Sequence, residues 1–586
     1  MRKFSILTFL ILVTAFNSCA QFITVWKTNN IGTSANNRIT IPAIGTNYTI
    51  QWQEVGNPGN NGTAVASGSH TITFASVGTY QVSIIKGAGS FDGIAFNNTG
   101  DRRKLLEIVK WGDTQWKTMI GAYDGCSNLT ITATDIPDLS DVNATTNMFQ
   151  NCTLLTTVPG MNNWDVSNIT HMDGMFYGAR SFNQPIDLWI VDNVINMSYM
   201  FTDARTFNQP IGTWNVGNVT DMRQMFATAI KFNQNLNDWN VERVTDMGQM
   251  FLGASVFNQP LADWDVSSCL NMAEMFNDAS AFNQPLETWD VSNVTDMMAM
   301  FVYALAFNQP IGTWDVGNVT SMIGMFYGAA VFNQSLGAWD LGNVAGMDIM
   351  LSNSGIDCGN LTYTLQGWAN NAQTPSNITF DATGRDYSGQ ASTALHTLMN
   401  TKQWSISIGN PIECTALEVT LIKFEVRNES GQVNLTWATS SEKDNDYFEV
   451  QRSDDARVWV PFAKVTGAGT ANSLQNYTET DPKPFTPISY YRLKIVDLAG
   501  EVEYSTIRSV KAARPETRFA YPNPATSSVT FSGISQGTLR IYNNRGYEIM
   551  QTQVLSEQTE IIIQTLPAGV YTAKMNNGWS TRFIKK

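Results

Sequence analysis

Only three histidines, His70, His171 and His396, occur in the chain of 586 residues. Acid–base, nucleophilic and zinc chemistry draw on imidazole first, and each needs it beside a carboxylate, hydroxyl or thiol. These three fall in three different stretches. No H-E-x-x-H and no G-x-x-x-x-G-K-[ST] is present, so zinc-protease and phosphate-loop chemistry lack their central residues. One G-x-S-x-G occurs, at Gly533-Ile534-Ser535-Gln536-Gly537, but no histidine follows it, and a nucleophile elbow needs one later in the chain. The sequence therefore argues against an enzyme and implies no cofactor.

Carboxylates are better supplied. Asp165, Asn215, Asn240, Asp265, Asp290, Asp315 and Asp340 each follow a Trp. If the Trp points inward, this row points out, with members on neighbouring coils about 5 Å apart, close enough to share calcium. The plainer reading is a solvated acidic face, and the absence of a calcium-loop motif favours it. Cys126, Cys152 and Cys269 take places that other copies of the repeat fill with small apolar residues, so they read as core. Cys358 and Cys414 flank a predicted cap and are candidates for a disulfide in an exported protein.

What positions these groups is repetition. Trp164, Trp189, Trp214, Trp239, Trp264, Trp289, Trp314 and Trp339 recur every 25 residues, as do Phe182, Phe207, Phe232, Phe257, Phe282, Phe307 and Phe332. The unit reads F-N-Q-P-[IL]-x-x-W-[DN]-V-x-N-V-T-x-M-x-x-M-F-x-x-A, and a fixed period of this size predicts a solenoid in which each coil packs on its neighbours. Trp214 and Val216 alternate with a polar residue, as an extended segment requires. Met222, Met225, Phe226 and Ala229 fall at i, i+3, i+4 and i+7, which predicts a two-turn helix capped by Thr220 or Asp221. The fold class expected is multidomain: an α/β, leucine-rich-repeat-like solenoid flanked by β-sandwiches.

The Trp column could form a platform for sugars, but its shared face with Val favours the core. The column Asn183, Asn208, Asn233, Asn258, Asn283, Asn308 and Asn333 could read a ligand; satisfying backbone groups at the bends is the commoner use. Tyr199, Arg223, Gln224, Glu274 and Tyr303 occupy variable positions of the helical half, where the scaffold imposes little. These five are the binding candidates.

Charge narrows the partners. The net charge of −14 arises in residues 160–351, which hold 19 Asp or Glu against five Lys or Arg. Such a surface repels phosphate backbones, so nucleic acid is excluded as the expected partner. Arg2 and Lys3, the apolar stretch Phe4 to Phe16 and Ser18-Cys19-Ala20 predict a signal peptide over 1–20; lipid attachment at Cys19 is the alternative. No later apolar run reaches the length of a membrane helix. The expected division is a small β-sandwich over 21–100, a cap with degenerate repeats over 101–158, the solenoid over 159–351 and a second cap over 352–413. A β-sandwich spacer over 414–512 and a last all-β segment over 513–586 follow.

The repeated unit resembles that of the BspA-like bacterial surface proteins, a relative of leucine-rich repeats first noted in mycoplasma lipoproteins. That resemblance implies extracellular display and, in some members, adhesion. Tyr521-Pro522-Asn523-Pro524, the run through Gly569 and Tyr571, and the closing Lys585-Lys586 resemble the type A sorting domain of the type IX secretion system. This implies a Bacteroidetes-type organism, handling by the type IX machinery and release or surface attachment. Gly78-Thr79-Tyr80 resembles the end of a PKD-type domain, and Asp446-Tyr447-Phe448-Glu449-Val450 with Ser489-Tyr490-Tyr491-Arg492-Leu493 is similar to a fibronectin type III-like spacer. Binding to an unknown extracellular protein or glycan through the solenoid is the leading expectation, and a purely structural surface component is the other.

Overall fold

Short runs that alternate apolar and polar residues form strands at the start of the chain, and their buried members face one core. The computed structural model describes residues 21–412, 419–429, 431–471, 475–498, 502–511, 520–532, 537–543, 547–554, 558–575 and 580–586. The expected signal peptide, Cys414 and Gly533 to Gln536 of the G-x-S-x-G match lie outside them. The chain divides into two compact units, Met1–Leu417 and Glu418–Lys586.

The first unit opens with β1 (Phe22–Lys27), β2 (Arg38–Ile41), β3 (Ala43–Thr46), β4 (Tyr48–Glu54), β5 (Asn57–Ala66), β6 (His70–Thr73), β7 (Thr79–Ile85), β8 (Ser90–Ile94), β9 (Leu105–Lys110) and β10 (Thr130–Ile131). Six of them make one sheet in the order β10-β9-β1-β7-β4-β5, while β2 pairs β6 and β3 pairs β8. β10 runs parallel to β9, and from there the chain winds in coils. One continuous hydrophobic core runs from Phe22 through every coil to Trp404.

Each coil is a ring of turns. The predicted two-turn helix is absent: residues 222–229 form turns with no α-helical bonds to the carbonyl four residues back. Met225, Ala227 and Ala229 instead donate three residues back, to Met222, Gln224 and Phe226. The intervening N–H groups point sideways, with Met222, Gln224, Phe226 and Thr228 donating to Asp246, Gly248, Met250 and Leu252 of the next coil at 2.6–3.0 Å. Gln224 and Thr228 take left-handed φ angles of 56° and 55°, which redirect the chain and break any helix. The apolar stripe is nevertheless buried, because Met222, Met225, Phe226 and Ala229 all face the core.

Coils are joined by a parallel ladder of single bridges through His171, Asn196, Asp221, Asp246, Asn271, Asp296, Ser321 and Gly346. The same ladder extends back to Ala144 and, one residue on, forward from Met347 to Phe380. Residues 121–125 donate to 146–150, and 147–151 to 173–177, so two irregular coils precede the regular ones. Inside, phenylalanines stack from coil to coil, as in Phe201–Phe226–Phe251 at 5.7 Å per step.

The far end is closed by α1 (Cys358–Asn370), capped by Asp357, whose carboxylate accepts from Asn360 N at 2.7 Å. Leu361, Leu365 and Trp368 are buried, the i, i+4, i+7 stripe of a helix laid on the last coil. β11 (Thr379–Ala382), β12 (Tyr387–Ser388), β13 (Ser405–Ile408) and β14 (Pro411–Ile412) follow, β11 parallel to β13 and β12 parallel to β14.

In the second unit, β15 (Val419–Glu429), β16 (Gln432–Ser453), β17 (Val460–Ala471), β18 (Gln475–Asp481), β19 (Ile488–Asp497), β20 (Val502–Tyr504) and β21 (Arg508–Lys511) form one hydrogen-bonded network around Trp437, Phe448 and Tyr491. β22 (Ala520–Tyr521), β23 (Ser528–Ser532) and β26 (Gln558–Ile562) form a three-stranded sheet, and β24 (Gly537–Asn543), β25 (Glu548–Val554), β27 (Gly569–Met575) and β28 (Ser580–Lys585) a four-stranded one. No helix among the described residues is long and apolar enough to cross a membrane.

Candidate functional site: the surface columns of the repeat array

Stacking at a period of 25 turns every sequence position into a column. The Trp column is interior, 0–4 % exposed, and each indole from Trp189 onward donates to a carbonyl 28 residues earlier, Trp239 to Ile211 at 3.1 Å and Trp264 to Leu236 at 2.9 Å. Trp368 of α1 continues the series by donating to Leu336. The Asn column holds the bends: Asn258 Oδ1 accepts Asn283 N at 3.0 Å and Gln284 Nε2 at 2.9 Å, and the same pair of bonds recurs one coil on.

The acidic row lies on the outside, where each carboxylate closes a turn on its own coil. Asp165, Asp265, Asp290, Asp315 and Asp340 accept from the N–H two residues later at 3.0–3.1 Å. The hydroxyl and N–H of Ser167 hold the Asp165 carboxyl below the usual range. Among the described residues no group of three or more His, Cys, Asp or Glu is placed to hold a metal ion. His70 lies on β6, His171 on the ladder and His396 in the C-terminal cap. Cys126, Cys152 and Cys269 are buried free thiols, and burial pushes Cys269 up to about 12. Cys358 is disulfide-bonded.

The five binding candidates all lie on the turn side of the coils. Tyr199, Gln224 and Glu274 share one column, and all three have left-handed φ angles of 56–60°. Arg223 stacks over the Tyr199 ring at 5.1 Å. Gln224 donates to Gln249, which donates to Glu274 Oε1 at 2.9 Å, making a side-chain ladder across three coils. Tyr303 is 46 % exposed and meets Tyr327 edge-on at 5.5 Å, and hydrogen bonding to the Tyr327 hydroxyl raises its own hydroxyl pKa. The structure thus joins Tyr199 to Arg223 and Gln224 to Glu274, and sets Tyr303 apart.

Column reading also exposes positions that the sequence argument passed over. Between the buried Ala and the buried Phe of each coil lie two residues at an outer corner: Arg180-Ser181, Arg205-Thr206, Ile230-Lys231, Ser255-Val256, Ser280-Ala281, Leu305-Ala306 and Ala330-Val331. Aligning the copies on Ala179 and Phe182 would have revealed them.

In the second unit, the motif residues of the sorting segment converge. Asn523 Oδ1 accepts Ile584 N at 2.8 Å, Ala525 N donates to Ile584 O, and Lys586 N donates to Ala525 O. The Pro522–Pro524 stretch is thereby tied to the strand that ends in Lys585 and Lys586. Gly569 begins β27, and Tyr571 on it donates to Pro567 O at 2.7 Å and stacks on Phe583. Tyr521 closes β22.

Coils that repeat at a fixed period and bond only to their neighbours, followed by a separate all-β terminal segment, define a repeat protein with an appended terminal domain. Residues 117–219, 143–264, 208–300 and 250–368 match the family described as "Mycoplasma protein of unknown function, DUF285", and residues 520–586 match the secretion system C-terminal sorting domain. The resemblances of the repeated unit and of the sorting segment are borne out. The sorting domain marks the protein for export to the cell surface or the extracellular space. No curated protein matches the chain significantly. Among solved structures, dimeric latent PorU from Porphyromonas gingivalis matches at 13% identity over 31% of this chain and 22% of that one, with a TM-score of 0.13. The likeness spans under a quarter of that protein's length.

Proposed function

We propose that this is a surface-displayed or secreted binding protein in which the repeat array, a solenoid, is the recognition surface and the flanking β segments are sandwich-type spacers. One observation carries the reading. Inward columns keep the same residue type in nearly every coil, while the outward turn positions change from Tyr199 to Gln224, Gln249, Glu274 and Ala299 along one column. Scaffolds of stacked repeats place recognition on such variable surface columns. The matched families, a repeat family and a sorting domain, carry no catalytic assignment, and the three histidines lie far apart in sequence. The acidic row acts as a line of turn-formers, with calcium as an optional bridge to a partner.

The test is a glycan and matrix-protein array probed with the full exported chain, with and without calcium. Saturable, selective binding that is lost when Tyr199, Arg223, Glu274 and Tyr303 are replaced together supports recognition. Uniform silence from folded protein would favour a purely structural surface component.

A further inference from the structure

The outer corner differs in character from the rest of the array. Of the 19 acidic residues in 160–351, none falls at the corner pairs, while three of the five basic ones do: Arg180, Arg205 and Lys231. Asp203 accepts from both Arg180 Nε at 2.7 Å and Arg205 Nε at 2.6 Å, so one carboxylate serves two guanidinium groups and a positive charge is left over. Lys231, one coil on, is exposed. Beyond it the corner carries no charge. Ile230 and Val256 are each 38 % exposed, and Leu305 and Val331 each 47 %.

Isolated exposed aliphatics are ordinary on any surface. These occupy two adjacent columns of the corner, Ile230 and Leu305 in the first and Val256 and Val331 in the second, and follow the cationic coils. Seven coils at strand spacing give an edge about 30 Å long, the span of roughly nine extended residues.

Resting on the recognition role proposed above, we propose that this corner is the docking edge for a protein segment that carries acidic residues at one end and apolar side chains over the remainder. Charge complementarity selects the partner. The surplus cations at Arg180, Arg205 and Lys231 attract a short acidic stretch, whereas the negative field of the remaining columns opposes a uniformly anionic polymer such as a uronate glycan. The uncharged aliphatic stretch then takes the apolar part, which a polysaccharide does not offer in this form.

The experiment selects a random 16-residue peptide display library on the full exported chain. Two double variants serve as probes, Arg180→Glu with Arg205→Glu and Leu305→Asp with Val331→Asp, and Asp192→Asn with Glu242→Gln, exposed in another column, is the control. All substituted side chains lie at the surface, and unchanged thermal unfolding verifies each variant. The proposal expects enriched peptides in which acidic residues precede apolar ones, with binding weakened about tenfold or more by either corner variant and unaltered by the control. Absence of enrichment, enrichment of basic peptides, or binding indifferent to both corner variants overturns it. The glycan and matrix-protein array repeated with the corner variants separates the two readings: selective binding there that both variants retain leaves the recognition role standing and removes the corner from it.

Discussion

The indole Nε1 of Trp289 donates to the carbonyl oxygen of Leu261 at 3.0 Å, across 28 residues of sequence and one coil boundary. Both groups are buried, so neither has water as an alternative. Leu261 O also accepts Trp264 N at 3.2 Å, so Trp289→Phe removes one of that carbonyl's two bonds and trims a buried indole to a phenyl ring, and is expected to cost about 1–3 kcal/mol. The midpoint of denaturant unfolding, compared with the parent, measures it.

Asn258 tests the bend ladder. Its Oδ1 accepts two bonds from the next coil, both lost in Asn258→Ala, for an expected loss of about 2 kcal/mol. Asn258→Asp retains the acceptor oxygen and should lose less. Equal losses in the two variants, read by thermal unfolding, would show that the oxygen is not what holds the bend.

A strained position offers the opposite sign. Ile349 holds a φ of 51°, a region that penalises β-branched side chains. Ile349→Asn removes the branch and suits that backbone. It should stabilise the chain by about 1 kcal/mol, seen as a raised unfolding midpoint.

Asp124 supplies a pH dependence. Burial pushes its carboxyl from 3.8 up to about 6, against the opposing pull of Arg102, and its Oδ1 is buried without a hydrogen-bond partner. The folded chain therefore keeps this proton to higher pH than the unfolded chain, and stability falls as pH rises between those two values. Asp124→Asn should melt at a higher temperature than the parent at about pH 7.5 and at nearly the same temperature at about pH 4. A difference that does not change with pH would refute the assignment.

Export is tested by removing residues 520–586, the matched sorting domain. The truncated chain is expected inside the cell envelope rather than in the medium or on the surface, as read by fractionation and protease accessibility of whole cells.

How far the sequence reached can be judged from single columns. The period of Trp and Phe located the stacked coils and named their interior, because a side chain repeated at one spacing has the same surroundings in each copy. It misled about the backbone between Met222 and Ala229. Spacing of i, i+3, i+4 and i+7 is met by a helix and equally by successive turns whose corners sit at Gln224 and Thr228, and no glycine marks those left-handed corners in this coil. The Asp row was placed correctly on the outside, yet its bonds to the N–H two residues on became visible only with the backbone. The five binding candidates were chosen for variability alone, so the sequence did not distinguish the ladder of Gln224, Gln249 and Glu274 from the separate pair Tyr303 and Tyr327.

The bridge ladder from His171 to Gly346 has a consequence for inheritance. Each coil presents to the next the same surface that it receives from the last, so gaining or losing one 25-residue unit alters reach by about 5 Å and introduces no new kind of joint. Near-identical units in tandem are also prone to misaligned recombination of the gene. The length of the array can thus change in whole coils while every joint between coils stays of the same kind.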